Sequence, residues 1–254
     1  MNQFDTYSNY YDNLYQDKDY HGETKFILNA IRKFSRHSGK DILSFGCGTG
    51  TYEILLNKKG YTIVGVDLSA KMLEIARDKA NQIKAKIDFR QGDVRKFKIN
   101  KKFDNVLALF NIVGYQNTNN DLENFIKTAG RHLKSGGLFM FDCWYQPAVL
   151  KNRPENRQRI IKLSNGHLVK RTTTQILDIE KSLLHITFRL REFNSLKKTP
   201  EVKENHPMRF FTLNEIDYFL KKNNFNLRRV CRFKHLNKPI SENNWDMFII
   251  AEKL

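Results

Sequence analysis

Between Asp41 and Asp142, short apolar runs alternate with stretches whose apolar residues recur at helical spacing, the pattern of parallel strands joined by crossover helices. Runs at 41–45, 61–66, 86–90, 103–109 and 137–142 read as strands, and helices are expected near 50–58, 69–80 and 120–133. Ser69 is a good N-cap for the second helix, which carries Met72, Leu73, Ile75 and Ala76 on one face. Gly136 and Gly137 are expected to stop the third helix before Leu138–Phe141 enters a buried strand.

Residues 151–205 lose the helical period, and β-branched and apolar residues recur there in short runs around an Asn165-Gly166 hairpin turn. An antiparallel insertion of three or four strands is expected. The capping-box sequence Thr212-Leu213-Asn214-Glu215 then opens a helix through about Lys222, followed by strands near 226–233 and 246–252. The fold class is therefore α/β: a doubly wound, seven-stranded, mostly parallel sheet formed by residues 1–150 and 206–254, with an antiparallel β insertion at 151–205. The insertion is expected to cover an acceptor or to form a dimer contact, since open strand edges invite pairing between subunits. Tyr7, Tyr10, Tyr11, Tyr15 and Tyr20 make the opening stretch too aromatic for a solvated tail, so it is expected to fold over something.

At 254 residues the chain is long enough for one sizeable core with room for that insertion. Its 44 Lys and Arg against 27 Asp and Glu give a net charge of +17, which either solvates the surface or attracts phosphates of a nucleic acid or a small molecule. Cys47, Cys143 and Cys231 lack the spacing of a disulfide framework or a zinc site and point to a reducing compartment. The first residues are polar and aromatic, and no later run reaches the roughly 18 apolar residues of a membrane span, so a soluble cytoplasmic protein with no membrane partner is expected. The seven histidines do not cluster at ligand spacing, and no metal is expected.

In an open α/β sheet, ligands lie beyond the carboxyl ends of the strands. After the first strand comes Gly46-Cys47-Gly48-Thr49-Gly50, whose glycines let a ligand approach the main chain. After the second, Asp67 stands where a carboxylate can accept from both hydroxyls of a ribose. After the third, Gly92-Asp93-Val94 offers a carboxylate and an amide to an adenine edge. A dehydrogenase loop would read G-x-G-x-x-G instead.

The order Asp41-Ile42-Leu43-Ser44-Phe45-Gly46-Cys47-Gly48-Thr49-Gly50, Val66-Asp67-Leu68-Ser69 and Gln91-Gly92-Asp93-Val94 resembles the successive motifs of class I S-adenosylmethionine-dependent methyltransferases. The resemblance spans about residues 40–145. It implies S-adenosylmethionine as cofactor, with Gly46 and Gly48 on its methionyl part, Asp67 on the ribose, Asp93 and Val94 at the adenine, and Leu68 and Met72 packed on the purine. Cys47, Gly50, Phe110 and Tyr15 complete the expected donor site. The family commonly has an acid where this chain has Ser44, so the carboxylate near the donor's amino group is missing, and weaker donor binding or compensation by water is expected.

The segment after the fourth strand, Phe110–Gln116, lacks the N/D-P-P-Y/F pattern of base or glutamine N-methylation, and no nucleic-acid module is recognisable. Tyr11-Asp12-Asn13-Leu14-Tyr15, Asp142-Cys143-Trp144-Tyr145-Gln146-Pro147 and the β-rich insertion together resemble the nucleotide-sugar N,N-dimethyltransferases. Those enzymes can carry His where Tyr115 stands and Glu where Asp142 stands. The expected acceptor is the amino group of a nucleotide-linked amino-deoxy sugar. Asp142, Tyr115 and Tyr11 are the candidate catalytic residues, Trp144 and Tyr145 suit a pocket wall, and Arg209 suits a phosphate grip or a surface role. Methylation of RNA or protein through the basic surface, O-methylation of a sugar or other metabolite, donor binding without catalysis, and a homodimer are the alternatives.

Overall fold

A computed structural model of the chain describes residues 7–36, 38–163, 166–194, 197–198 and 200–254. Its first half runs α1 (Ser8–Leu14), α2 (Tyr20–Phe34), β1 (Asp41–Phe45), α3 (Thr51–Asn57), β2 (Thr62–Asp67), α4 (Ala70–Gln82), β3 (Asp88–Gln91), β4 (Phe103–Ala108), α5 (Asn119–His132) and β5 (Leu133–Trp144). The second half runs α6 (Gln146–Lys151), β6 (Arg157–Lys162), β7 (Leu168–Asp178), β8 (Leu183–Asn194), β9 (Lys197–Lys198), β10 (Val202–Arg209), α7 (Leu213–Lys222), β11 (Phe225–Arg232) and β12 (Asp246–Lys253). Seven strands form one sheet in the order β11-β12-β5-β4-β1-β2-β3, parallel except for β12, which pairs antiparallel with β5 and β11. The order reverses between β1 and β4, which makes the ends of those strands the ligand-binding crevice.

The sheet is covered on both faces, so most side chains of its central strands are buried. Along β5, Phe139 and Phe141 join the cluster under α5 and α7, while Leu138 and Met140 join the cluster under α2. That alternation is the period of two expected of a pleated strand. Ser69 and Thr212 cap α4 and α7, their side chains accepting from the amides of Met72 and Glu215.

Several elements differ from the sequence expectation. Helix α5 ends at His132, where Leu133 turns extended, and Lys134–Gly137 loops out of register between Leu133 and Leu138 as β5 pairs with β4. Gly136 takes φ +76°, and a Cβ on Gly137 would meet the carbonyl oxygens of Lys134 and Asp104 at 2.9 and 3.0 Å, so these glycines shape a bulge rather than stop a helix. Among the described residues the insertion holds five strands, because the two-residue β9 leaves no periodic signal, and its last strand runs through Pro207 to Arg209, beyond residue 205. Of the expected hairpin turn, Gly166 has φ +85°, whereas Asn165 lies outside the described residues. The aromatic N-terminus forms α1 and packs Tyr7 and Leu14 against Ile161, Val169 and Leu190 of the insertion. Helix α2 buries Phe26, Ile27, Ala30 and Ile31 on the sheet, although its polar spacing had hidden it.

Phe139 is fully buried and touches the rings of Phe125, Phe141 and Phe225 at centroid distances of 5.6, 4.8 and 5.8 Å. Phe139→Ala is expected to lower the unfolding free energy by about 3–5 kcal/mol, through lost transfer energy and the cavity left behind. Equilibrium urea denaturation of the two proteins measures it; a change below about 1 kcal/mol would mean that the aromatic cluster repacks.

Candidate active site

The turn after β1 is built around bare backbone. Gly46, Gly48 and Gly50 all take left-handed φ values, +64°, +54° and +76°, which side-chain-bearing residues rarely adopt. A Cβ on Gly46 would lie 2.2 Å from Cδ1 of Ile112, whereas a Cβ on Gly48 would meet nothing within 4 Å. The first glycine is needed by the fold, and the second leaves open space beside the chain. The Asp67 carboxylate holds the turn: Oδ2 accepts from the Gly48 amide at 2.8 Å and Oδ1 from the Ser69 amide at 2.9 Å. Each oxygen keeps a lone pair for a ligand hydroxyl. Burial raises the Asp67 pKa, opposed by those backbone donors.

Three cavities meet here. The largest, about 310 Å³, is lined by Gly46, Gly48, Asp67, Leu68, Met72, Asp93 and Val94, together with Tyr11, Ile112 and Tyr115. A pocket of about 40 Å³ lies under the same turn and includes Ser44, Cys47, Glu53 and Phe110. A third cavity, about 180 Å³, lies between the sheet edge and the insertion, and its walls include Tyr7, Tyr11, Tyr15, Phe110, Asn111, Tyr115, Asp142, Trp144 and Asp246. Tyr11 and Ile112 line all three.

Seven of the expected donor-site residues thus line the large cleft, and Cys47 and Phe110 line the pocket beside it. Tyr15 lines the third cavity with Asp142, Tyr115 and Tyr11. Gly50 lines none of the three; it turns the chain into α3, where a Cβ would lie 2.8 Å from the Phe89 ring. The Asp93 carboxylate is gripped by Arg95, whose guanidinium also reaches Asp121, and this pairing pulls its pKa down. Arg209 is buried rather than at the surface: it bonds Glu215 and Asn119 and stacks on Phe211, so its charge is spent inside the fold.

Asp142 sits at the end of β5 with both oxygens engaged, accepting from the amides of Phe110 at 2.7 Å and Asn111 at 2.8 Å. Those two residues have φ +67° and +56°, a strained left-handed pair that the carboxylate holds in place. Burial and nearby Asp246 push the Asp142 pKa up to about 7. The turn fixes Asn111 so that its buried carboxamide, with neither atom bonded, lines the third cavity. Tyr115 bonds Nδ1 of the buried His206 at 3.0 Å, and Nε2 of His206 lies 3.3 Å from Glu204. Burial raises the Tyr115 pKa, so it remains a phenol at neutral pH.

Helix α1 closes over the site from above. Asp12 accepts from Thr49 at 2.6 Å and pairs with Lys79 at 2.9 Å, fastening the helix to the glycine turn. At its other end, Tyr7 donates its amide to Glu204 at 3.1 Å and Tyr10 its hydroxyl to Glu192 at 3.0 Å, both in the insertion. Glu53, Asn111 and His206 are the polar groups whose importance spacing did not reveal, because each gains meaning only from a cavity that distant elements close. Among the described residues no group of three or more His, Cys, Asp or Glu is arranged to hold a metal ion, and no helix is long and apolar enough to cross a membrane.

Residues 42–137 match the family described as methyltransferase domain. The chain is 31% identical over 143 residues to the dTDP-3-amino-3,4,6-trideoxy-alpha-D-glucopyranose N,N-dimethyltransferase of Streptomyces venezuelae, covering 56% of this chain and 57% of that one. It spans about half the length of the curated relatives it matches. Among solved structures, an S-adenosylmethionine-dependent methyltransferase from Clostridium acetobutylicum superposes with a TM-score of 0.82 at 22% identity over 98% of both chains. DesVI of Streptomyces venezuelae superposes with a TM-score of 0.79 at 21% identity, also over 98% of both chains. Residues 42–137 therefore form a methyltransferase domain, set in a doubly wound sheet whose glycine turn is braced by Asp67.

Proposed function

We propose that this chain transfers a methyl group from S-adenosylmethionine to the amino group of a nucleotide-linked amino-deoxy sugar. The observation that carries the acceptor half is the third cavity, where aromatic walls surround Asp142 and Asp246 and open on the donor cleft at Tyr11, Ile112 and Tyr115. Aromatic faces and carboxylates both attract an amine that arrives protonated. A further cavity of about 360 Å³ shares Asp246 and is lined by Arg232, Lys234 and His235. Although Glu23 also lines this cavity and Lys234 is paired with Asp19, its basic side chains supply donors for phosphate oxygens beside the amine cavity, which favours a carrier with a diphosphate. The relative named for N,N-dimethylation of a dTDP-amino sugar supports the same class.

The donor fits the cleft. The space beside Gly48, where no Cβ stands, admits a chain against the main chain, and Asp67 keeps a lone pair on each oxygen for the ribose hydroxyls. When bound, the cofactor supplies an electrophilic methyl on a sulfonium. The residues of this chain orient the amine and receive its proton. Asn111 offers an acceptor and two donors to the sugar, held by a turn that Asp142 prevents from relaxing. Methylation leaves a positive charge on nitrogen, and the proton passes through the Tyr115 hydroxyl, which accepts it as it gives its own to Nδ1 of His206.

The direct test is incubation of the protein and S-adenosylmethionine with a mixed pool of nucleotide amino sugars, read by mass spectrometry. Gains of one or two methyl groups on an amino sugar support the reading; methyl gain on a sugar hydroxyl, or only on added RNA or protein, overturns it. Tyr115→Phe is expected to lower kcat about 10²-fold, with donor affinity unchanged and partial recovery at higher pH, where free amine is more plentiful. Turnover near wild type would remove Tyr115 from the proton path. Gly48→Ala is expected to cost some stability through its left-handed φ but to keep the fold, and to abolish donor binding because its Cβ fills the ligand's space, whereas Gly46→Ala adds a collision with Ile112 and destabilises the protein more. Thermal melts and calorimetry separate the two, and unchanged donor affinity in Gly48→Ala would count against the cleft.

A further inference from the structure

The small pocket under the glycine turn holds a carboxylate with unfinished bonding. Glu53, in the first turn of α3, is 1% exposed. Its Oε1 accepts from the hydroxyl of Ser44 at 2.6 Å, and its buried Oε2 has no partner. Among the described residues no Lys or Arg lines this pocket; Lys79 lowers the Glu53 pKa only from outside it, its ammonium being bonded to Asp12, Thr49 and Thr51. Isolating an ionised carboxylate from water without a counter-ion is costly, and burial accordingly pushes the Glu53 pKa up to about 7. An acid kept there despite that cost leaves room for a cation from outside the chain.

The pocket's position identifies the cation. It shares Tyr11, Gly46, Gly48 and Ile112 with the cleft that contains Asp67, so a ligand with its sugar at Asp67 and its chain along Gly46–Gly48 ends beside Glu53. The volume, about 40 Å³, suits one small polar group. The far end of a sulfonium donor is an amino acid, whose ammonium brings three N–H donors and a positive charge. We propose that Glu53 receives the α-ammonium of the donor on its unpartnered oxygen while Ser44 holds the other oxygen in place. The acid absent from residue 44 of β1 is thereby replaced by one from α3, reaching the same spot across the turn, and Ser44 becomes the residue that aims it. This inference rests on the donor reading of the cleft.

The test compares two ligands by calorimetry: S-adenosylhomocysteine, which carries the amino-acid end, and 5′-methylthioadenosine, which lacks it. Glu53→Gln is expected to weaken S-adenosylhomocysteine by about tenfold to a hundredfold, the scale of a lost charge-assisted hydrogen bond, and to leave 5′-methylthioadenosine within about twofold. Adding Ser44→Asp to Glu53→Gln is expected to restore most of the loss, because the carboxylate then returns from the strand side. Equal affinity of wild type and Glu53→Gln for S-adenosylhomocysteine overturns the proposal, as does an equal loss for both ligands, which would mean that the cleft had collapsed. If the wild type binds neither ligand, the donor reading itself fails, an outcome distinct from failure of the Glu53 assignment alone.

Discussion

The site depends on one hydrogen-bonded constraint, the Asp67 carboxylate bridging the Gly48 amide of one strand-end turn and the Ser69 amide of the next. Because β1 and β2 are parallel neighbours, their carboxyl ends lie side by side, and a single side chain can tie the two turns together. Ser69 in turn caps α4. Donor-facing backbone, helix start and sheet register are therefore fixed by the same few atoms, and a ligand meets a surface that needs little reorganisation.

The lining of the proposed donor cleft was legible because its residues are local in sequence. Gly46, Asp67, Asp93 and their neighbours follow the first three strands, and topology alone brings strand ends together. The acceptor half was legible only in part. Tyr11, Tyr115 and Asp142 were read as candidates from their positions, but nothing in the spacing tells that Asp142 spends both oxygens on the Phe110 and Asn111 amides. Glu53 reads as an ordinary first-turn acid until α3 is docked against Ser44. Helix α2 and the bulge at Lys134–Gly137 escaped for a related reason: tertiary packing decided both, against weak or misleading local signals.

Function here runs against stability. Burial holds Glu53 and Asp142 near pKa 7, above the ordinary carboxylate range, so their contribution to stability is fully present below that range and is lost as pH rises through about 7. The left-handed Phe110-Asn111 pair adds backbone strain at the same place. The apolar clusters on the two faces of the sheet offset these costs, and they lie away from the strand ends where the polar groups converge.

Tyr11 belongs to the walls of all three cavities, whereas Ile186, Phe188 and Met208 belong to the acceptor cavity alone. The two kinds of position have different evolutionary freedom. If the cavities hold donor and acceptor as proposed, a substitution at Tyr11 is judged at once by the nucleoside, the amino-acid end and the acceptor, so most changes there are closed to selection. Substitutions on β8 and β10 would then be judged by the acceptor only. On that proposal the insertion is the part of this architecture on which new substrate preferences can accumulate while the donor machinery stays as it is.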